Sequence, residues 1–510
     1  MKKEAPNKLL ALSLAKAKTA SREGVLKATD IDRDTKARLI AAKCLMPIIR
    51  GWYLLATPGT GGGSTVWFGG FWSFVRYYLE DRFGKKGYCL SAESSIDLHS
   101  GESSIANQIT VLTKKNSNQI VALPHNTSLF LYKEAKKFPL QMETLRNINV
   151  MPPALALCRL SPAYFSNKPL NVEITLRLLP SVSDISRILL EGQMISAANR
   201  LVGAYFTLGE NNKANQIAED MAAMGHILAT TNPFLTYEPI IGKSPGLKSP
   251  YTGRITALWE KMRDSVLKVF PDEPGYHQKP DTIFKYIHGL YSQDAYHSLS
   301  IEGYQITETL IDKIAKGDWD PDNNEDDKNH RNALAAFGYH QAFEAVTKNI
   351  RTLLAKKKNA GEIFEENLQT WYRELFSPLI QANLLKTSDL AGYRNNQVYI
   401  RNSRHVPPPA SAVVDCMETL FVLLKKEKKA SVRAVLGHFI FVYIHPYMDG
   451  NGRIGRFLMN LMLVSGGYPW TIIRMEHRKV YMDALEQASV HKNITPFAKF
   501  ILSEMKSKNI

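Results

Sequence analysis

Apolar residues recur with a helical period over most of the second half of the chain, and from Asp281 onward the pattern predicts helix after helix. Two of its most apolar runs, 434–444 and 457–464, flank twelve residues from His445 to Arg456. There Pro446 and the glycines Gly450 and Gly452 interrupt the period, which predicts helix, tight loop, helix. The first half is patterned differently. Leu9, Leu10, Leu12, Leu14 and Ala15 predict an amphipathic helix, 22–27 and 34–44 two shorter ones, and 48–55 a strand that turns at Gly51. Three short helices followed by a hairpin predict a winged helix–turn–helix over 1–58. From 66 to 230 strands and helices alternate, with strands at 107–112 and 118–122 and a helix at 183–201, as in an α/β accessory domain. Residues 232–253 hold four prolines and three glycines, so 231–280 is expected to be a linker with one connecting helix, 254–270. The remainder, 281–510, forms the helical core.

Composition narrows the class. The chain has 510 residues, enough for roughly two to four domains. Its formal charge of +16 favours polyanionic partners, nucleic acid or nucleotide. No apolar run approaches the roughly 18 residues a membrane span needs, and the lysine-rich start lacks the apolar stretch of a signal peptide. Cys44, Cys89, Cys158 and Cys416 are far apart, fit no zinc or disulfide spacing, and read as buried thiols in a reducing cytoplasm. The glycine run 59–64 lacks the Lys-Ser/Thr of a phosphate loop and is expected to be a hinge, whereas 318–327 lacks the glycine and glutamate of a calcium loop and is expected to be a solvated acidic loop.

The candidate chemistry lies in 445–456. Gly450 and Gly452 let backbone amides turn towards an anion at a helix start. Arg453 and Arg456, three apart, can fork onto phosphate oxygens. Asp449 offers an oxygen ligand for Mg2+, and His445 a base that titrates near neutral pH. The combination is that of a nucleotide-handling site. Two alternatives stand beside it: a structural turn with surface arginines, and a metal site built from His438, His445 and Asp449.

The stretch His445-Pro446-Tyr447-Met448-Asp449-Gly450-Asn451-Gly452-Arg453-Ile454-Gly455-Arg456 resembles the signature of the Fic family, with Tyr447 where that signature has phenylalanine. The resemblance implies transfer of AMP from ATP to a protein hydroxyl, the protein's own included, with His445 as general base and Mg2+ held by Asp449. Asn451 and the amides of Gly450 and Gly452 would steady the α-phosphate, and Arg453 and Arg456 would bind the outer phosphates. Ser298-Leu299-Ser300-Ile301-Glu302-Gly303 resembles the family's inhibitory motif, in which the glutamate pairs with the second arginine; water activated through Glu302 to remove AMP is a further activity the resemblance admits. The segment 391–402 with His405-Val406-Pro407-Pro408-Pro409 resembles the Fic flap, a β-hairpin whose edge holds the target segment. Val398, Tyr399, Ile400 and Arg401 would then border the nucleotide, and Tyr481 with Thr495-Pro496-Phe497 would close the base pocket.

Residues 1–56 carry twelve Lys/Arg against five Asp/Glu and resemble the leading domain of AbiEi-type antitoxins. The resemblance implies duplex DNA as a partner, read by Lys36, Arg38 and Lys43 on or beside a recognition helix and Arg50 near the wing. A different function class follows: a DNA-binding regulator of toxin–antitoxin type whose Fic core senses nucleotide. The intact base argues for catalysis, because a sensor has no need of His445. Oligomerisation is left open. The expected architecture is multidomain: a mainly α Fic core with a β-hairpin flap, preceded by a winged helix–turn–helix and an α/β domain.

Overall fold

The computed structural model describes residues 6–56, 63–115, 118–242, 247–317, 331–356 and 358–506. They divide into two compact units, 1–254 with 398–406, and 255–397 with 407–510. The glycine run at 59–62 and the acidic loop at 318–327 lie outside the described residues.

In the first unit, α1 (Pro6–Ala20), β1 (Val25–Lys27), α2 (Arg33–Ala41), β2 (Leu45–Ile49) and β3 (Trp52–Leu55) come first, with an antiparallel sheet in the order β1–β3–β2. The hairpin turns at Gly51, φ +84°, a left-handed position where glycine carries no steric cost. The expected helix at 22–27 is a strand: Val25, Leu26 and Lys27 pair with Leu54, Tyr53 and Trp52. Alternation explains why. Leu26 packs with Leu39, Cys44 and Leu45 on one side of the sheet, while Val25, Trp52 and Leu54 turn to the other, against Phe71 and Phe74. Two helices are therefore observed where three are expected. The phenylalanines belong to α3 (Gly63–Phe83), on which a Cβ at Gly70 would fall 2.5 Å from Leu54.

Next come β4 (Tyr88–Leu90), α4 (Ala92–His99), β5 (Gln108–Thr113), β6 (Gln119–Leu123) and β7 (Thr127–Lys133), a four-stranded sheet of order β4–β5–β7–β6 in which only β5 and β7 run parallel. A hairpin, β8 (Glu143–Leu145) and β9 (Ile148–Val150), leads into α5 (Pro153–Arg159), α6 (Pro162–Asn167), α7 (Pro169–Leu178), α8 (Ser183–Glu191), α9 (Ile195–Thr207) and α10 (Asn211–Ala223). The single helix expected over 183–201 is two, because the chain turns at Gly192 and Gln193, the latter at φ 50°. All four cysteines are buried free thiols.

The flap is the larger correction. Residues 391–406 contain no β-ladder; a turn closes between Ser403 N–H and the Ile400 carbonyl, and 398–406 bond to the first unit. Asn402 N–H donates to Thr65 Oγ1, Arg404 to the Ile105 carbonyl, and Val406 N–H to the Ser103 carbonyl, while His405 bridges Ser104. Backbone groups engaged in this way are not available for a hairpin of their own. Tyr399 lies against Gly69, where a Cβ would come within 3.3 Å of its ring.

The helix expected at 254–270 is α11 (Pro250–Val269); it begins at a proline, whose missing N–H costs nothing in a first turn. The second unit continues with α12 (Pro280–Gly289), α13 (Tyr291–Ile301), α14 (Glu308–Ala315), α15 (Arg331–Lys356), α16 (Ala360–Gln381), α17 (Val413–Lys426), α18 (Ala430–Ile444), α19 (Asn451–Ser465), α20 (Arg478–His491) and α21 (Thr495–Lys506). Helices α18 and α19 are buried on nearly every face, which is why their sequences are apolar all round. Among the described residues no helix is long and apolar enough to cross a membrane.

Candidate active site

The turn between α18 and α19 is held in part by its own side chains. Asn451 is buried, its Oδ1 accepting from Tyr447 N–H at 3.0 Å and its Nδ2 donating to the Tyr447 carbonyl at 2.8 Å. Tyr447 stacks on Tyr372 with centroids 3.8 Å apart and planes 9° from parallel, so the ring lies packed beneath the loop. Gly450 adopts φ +83°, and a Cβ there would strike Phe376 at 2.8 Å; the position needs glycine twice over. Beyond it the first intrahelical donor is Ile454, bonded to the Gly450 carbonyl. The N–H groups of Asn451, Gly452 and Arg453 therefore form the positive start of α19.

His445 ends α18 in the left-handed region, φ 53° and ψ 60°. Its Nδ1 lies 3.2 Å from the Val442 carbonyl, which can only accept, so Nδ1 carries the proton and Nε2 the lone pair. Burial pushes its pKa below the usual histidine value, with the Arg394 cation acting in the same direction; the bond to Val442 and the carboxylates of Glu302 and Asp449 oppose it. At neutral pH the ring is thus an unprotonated base.

Arg453 is wholly buried, and Nε, Nη1 and Nη2 all lack a hydrogen-bond partner. Its guanidinium carbon lies over the rings of Tyr304 and Phe376, 5.2 and 5.0 Å from their centroids, with Asp449 Oδ1 3.3 Å from Nη2. The two rings stabilise the cation without using its N–H groups, which are left for a ligand. Arg456 is spoken for. Its Nε donates to Ser298 Oγ at 2.8 Å, and its Nη2 to the Ser298 carbonyl at 3.0 Å and to Glu302 Oε1 at 2.7 Å, while Nη1 has no partner. Burial works against its charge, yet Glu302 holds its pKa above the ordinary arginine value. The same carboxylate covers the start of α19: a Cβ on Gly452 would lie 2.2 Å from Glu302 Oε1.

Asp294, Ser298 and Glu302 follow one another at four-residue steps along one face of α13 and its end. Buried Asp294 accepts from Tyr339 Oη at 2.6 Å and Trp470 Nε1 at 3.2 Å, and burial raises its pKa to about 6. Gly303, φ +92°, turns the chain so that Tyr304 follows over Arg453.

The model of the Fic/DOC family matches residues 363–463, from α16 into α19. The chain carries a Fic domain. Similar proteins include one named "Protein adenylyltransferase Fic" from Nematostella vectensis, 39% identical over 113 residues, which are 21% of this chain and 26% of the relative. Another of the same name, from Drosophila willistoni, is 30% identical over 215 residues, 41% of this chain and 39% of the relative. The match therefore spans well under half the length of either relative. Fic-1 (aa134 - 508) from C. elegans aligns at 17% identity and a TM-score of 0.37, over 66% of this chain and 89% of that one.

Within the Fic domain and its flanking helices, the structure brings together His445, Asp449, Gly450, Asn451, Gly452, Arg453 and Arg456, with Ser298, Glu302 and Gly303 beside them. Tyr481 is buried, its hydroxyl 2.8 Å from Nε2 of His438 and its ring near Phe497. That contact engages His438, whose pKa burial lowers to about 3, and leaves no shared metal site with His445. Val398, Tyr399, Ile400 and Arg401 cluster with the first unit. Lys43 and Arg50 are exposed and Lys36 half-buried, whereas Arg38 Nη1 donates to Ser13 Oγ at 2.6 Å. Tyr304, Phe376, Arg394, Asp294 and Tyr339 escaped the sequence reading, since each reaches the site through tertiary packing rather than through a motif.

Proposed function

We propose that the protein is an adenylyltransferase: a hydroxyl on a target protein attacks the α-phosphorus of ATP. The new bond joins the hydroxyl oxygen to that phosphorus, the bond to the β-phosphate oxygen breaks, and pyrophosphate leaves with the electron pair. Nε2 of His445 takes the hydroxyl proton. The first-turn amides of α19 and the unbonded N–H groups of Arg453 hold phosphate oxygens, and Arg456 joins them once Glu302 withdraws. Glu302 is thereby a built-in inhibitor, occupying the place of an outer phosphate. Asn451 shapes the loop that presents the amides. Asp449 fits Mg2+, which takes one or two carboxylates and completes its shell with phosphates and water; Oδ1 already accepts from Gly450 N–H, so Oδ2 is the oxygen available to the ion, whose charge would offset that of the phosphates.

The observation that carries the proposal is the fully buried guanidinium of Arg453, which has an ion pair with Asp449 but no hydrogen bond on any of its nitrogens, in the same loop-and-helix unit as an unprotonated His445; donors left unsatisfied in this way are costly unless an anion arrives. The shared name of the relatives supports it. His445→Ala tests it: ATP binding should persist while covalent labelling of protein from ATP disappears. Undiminished labelling removes His445 as the base.

A second reading concerns residues 6–56, in which exposed Arg50 stands at the hairpin turn and Lys43 just before β2. We propose that this basic face binds duplex DNA through phosphate contacts, which would let the protein regulate its own supply. A gel shift at low and moderate salt tests this, and absence of binding at low salt refutes it.

A further inference from the structure

His445 is held in the left-handed region, which non-glycine residues occupy in only a few per cent of cases even though histidine, like asparagine and aspartate, is enriched there. Such an outlier persists only when its surroundings over-determine it. The side chain that grips this turn is Arg394. Its Nε donates to the His445 carbonyl at 2.8 Å, and its own backbone N–H donates to the Pro446 carbonyl at 2.9 Å. Nη2 reaches the carbonyls of Ile444 and Pro408, and Nη1 that of Asn396 at 2.8 Å. Two of these acceptors are the last carbonyls of α18, which the helix itself leaves without donors. The other two stand on either side of the segment 397–407, so one guanidinium ties both of its roots to the turn that bears the base.

Arg394 is 5% exposed, and its hydrogen bonds all go to carbonyl oxygens. Burial alone brings its pKa down to about 10. An enclosed cation without a carboxylate is costly to maintain, which argues that both its fork geometry and its charge serve the site. A lysine could satisfy some of the carbonyls, but only a planar fork reaches His445, Asn396 and Pro408 at once.

We propose that Arg394 is a positioning residue for the transfer reaction, locking His445 in its left-handed turn so that Nε2 faces the attacking hydroxyl and keeping a positive charge behind the ring. The inference rests on the reading of His445 as the base. The charged groups acting on that ring are Arg394, which favours its neutral form, and Glu302 and Asp449, which favour the protonated one. Removing Arg394 therefore both loosens the base and makes it easier to protonate.

The test uses the full-length protein with Glu302→Gly as parent, and adds Arg394→Met or Arg394→Lys. Four quantities are measured: kcat for AMP transfer across pH, KM for ATP, ATP affinity by calorimetry, and the pKa of the His445 ring by NMR. The Met variant should lose kcat by roughly a hundredfold, as misplacement of a reacting group by about an ångström does, with ATP affinity unchanged. Its acidic limb and ring pKa should move to higher pH, and Lys should recover part of kcat and reverse most of the pKa change. Retained kcat with an unmoved limb overturns the role. So does a loss of kcat matched by equal losses of ATP affinity and folded fraction, in both variants alike. A parent that binds ATP and transfers nothing overturns the function itself, and this role with it.

Discussion

Replacing Glu302 by glycine is the perturbation whose size the structure best constrains. The carboxylate makes one charge-assisted bond, Oε1 to Arg456 Nη2 at 2.7 Å, with the arginine side chain 4% and the glutamate 26% exposed. A hydrogen bond to a charged group contributes about 1.5–3 kcal/mol. The carboxylate also sits on the start of α19, where an anion gains about 0.3–1 kcal/mol from the helix dipole. The sum is about 1.8–4 kcal/mol, and because partial exposure of Glu302 screens both effects the net value is smaller, roughly 1.4–2.8 kcal/mol. Competing phosphate must displace that interaction. Affinity for ATP should therefore rise about 10- to 100-fold in Glu302→Gly, as 1.4 kcal/mol corresponds to a factor of ten. AMP transfer should rise with it, because Arg456 becomes available to the outer phosphates. Glu302→Gln keeps the shape, loses the charge, and should fall between parent and glycine variant. The assay is calorimetric titration with ATP alongside covalent labelling from ATP. Equal affinity and equal labelling in parent and Glu302→Gly would refute the reasoning, since Glu302 is the carboxylate hydrogen-bonded to Arg456, and Asp294, the other acid on that face of α13, acts on it without such a bond.

The remaining expectations are briefer. In the Glu302→Gly protein kcat should fall on acidification through an apparent pKa below the usual histidine value of about 6.5, because burial and Arg394 depress the His445 pKa and only the neutral ring accepts the proton; a limb centred well above that value contradicts the assignment. Tyr304→Ala, which exposes one face of the Arg453 guanidinium, should raise KM for ATP more than it lowers kcat, whereas Tyr304→Phe should behave like the parent, as steady-state kinetics would reveal. Changing Lys36, Lys43 and Arg50 together to Ala should weaken binding to any duplex and flatten its salt dependence by about 0.9 logarithmic units per lost phosphate contact, measured by gel shift. Arg38→Ala should instead lower thermal stability, because its guanidinium is bonded to Ser13.

What was legible in the sequence is what is contiguous in it. The loop from His445 to Arg456 carries its own glycines, amide donors and cations within a dozen residues, so its chemistry could be read before its geometry. Glu302 was found because a short motif marks it. Arg394 was not, since its acceptors lie 2 to 51 positions away along the chain and no spacing rule joins them. Tyr304 and Phe376 likewise meet on Arg453 only through packing. The flap differs from expectation for a physical reason: Asn395-Asn396 between apolar residues suits a hairpin, but the backbone of 402–406 bonds instead with residues 65, 103 and 104. The helix expected over 183–201 failed at one residue, because helical periodicity continues through the left-handed Gln193. At 22–27 the strand, three residues long, is too short for its sequence to display alternation, and the local pattern resembles a helical turn.

The most direct test of adenylyl transfer follows each phosphate separately. Glu302→Gly protein, and the same protein with His445→Ala added, would be incubated with target lysate and with ATP labelled at either the α- or the γ-phosphate. After denaturing separation the protein itself should carry covalent α-label but no γ-label, which stays in ATP and released pyrophosphate, and the His445→Ala protein should carry neither. Covalent γ-label, or α-label that survives the loss of His445, would contradict the account.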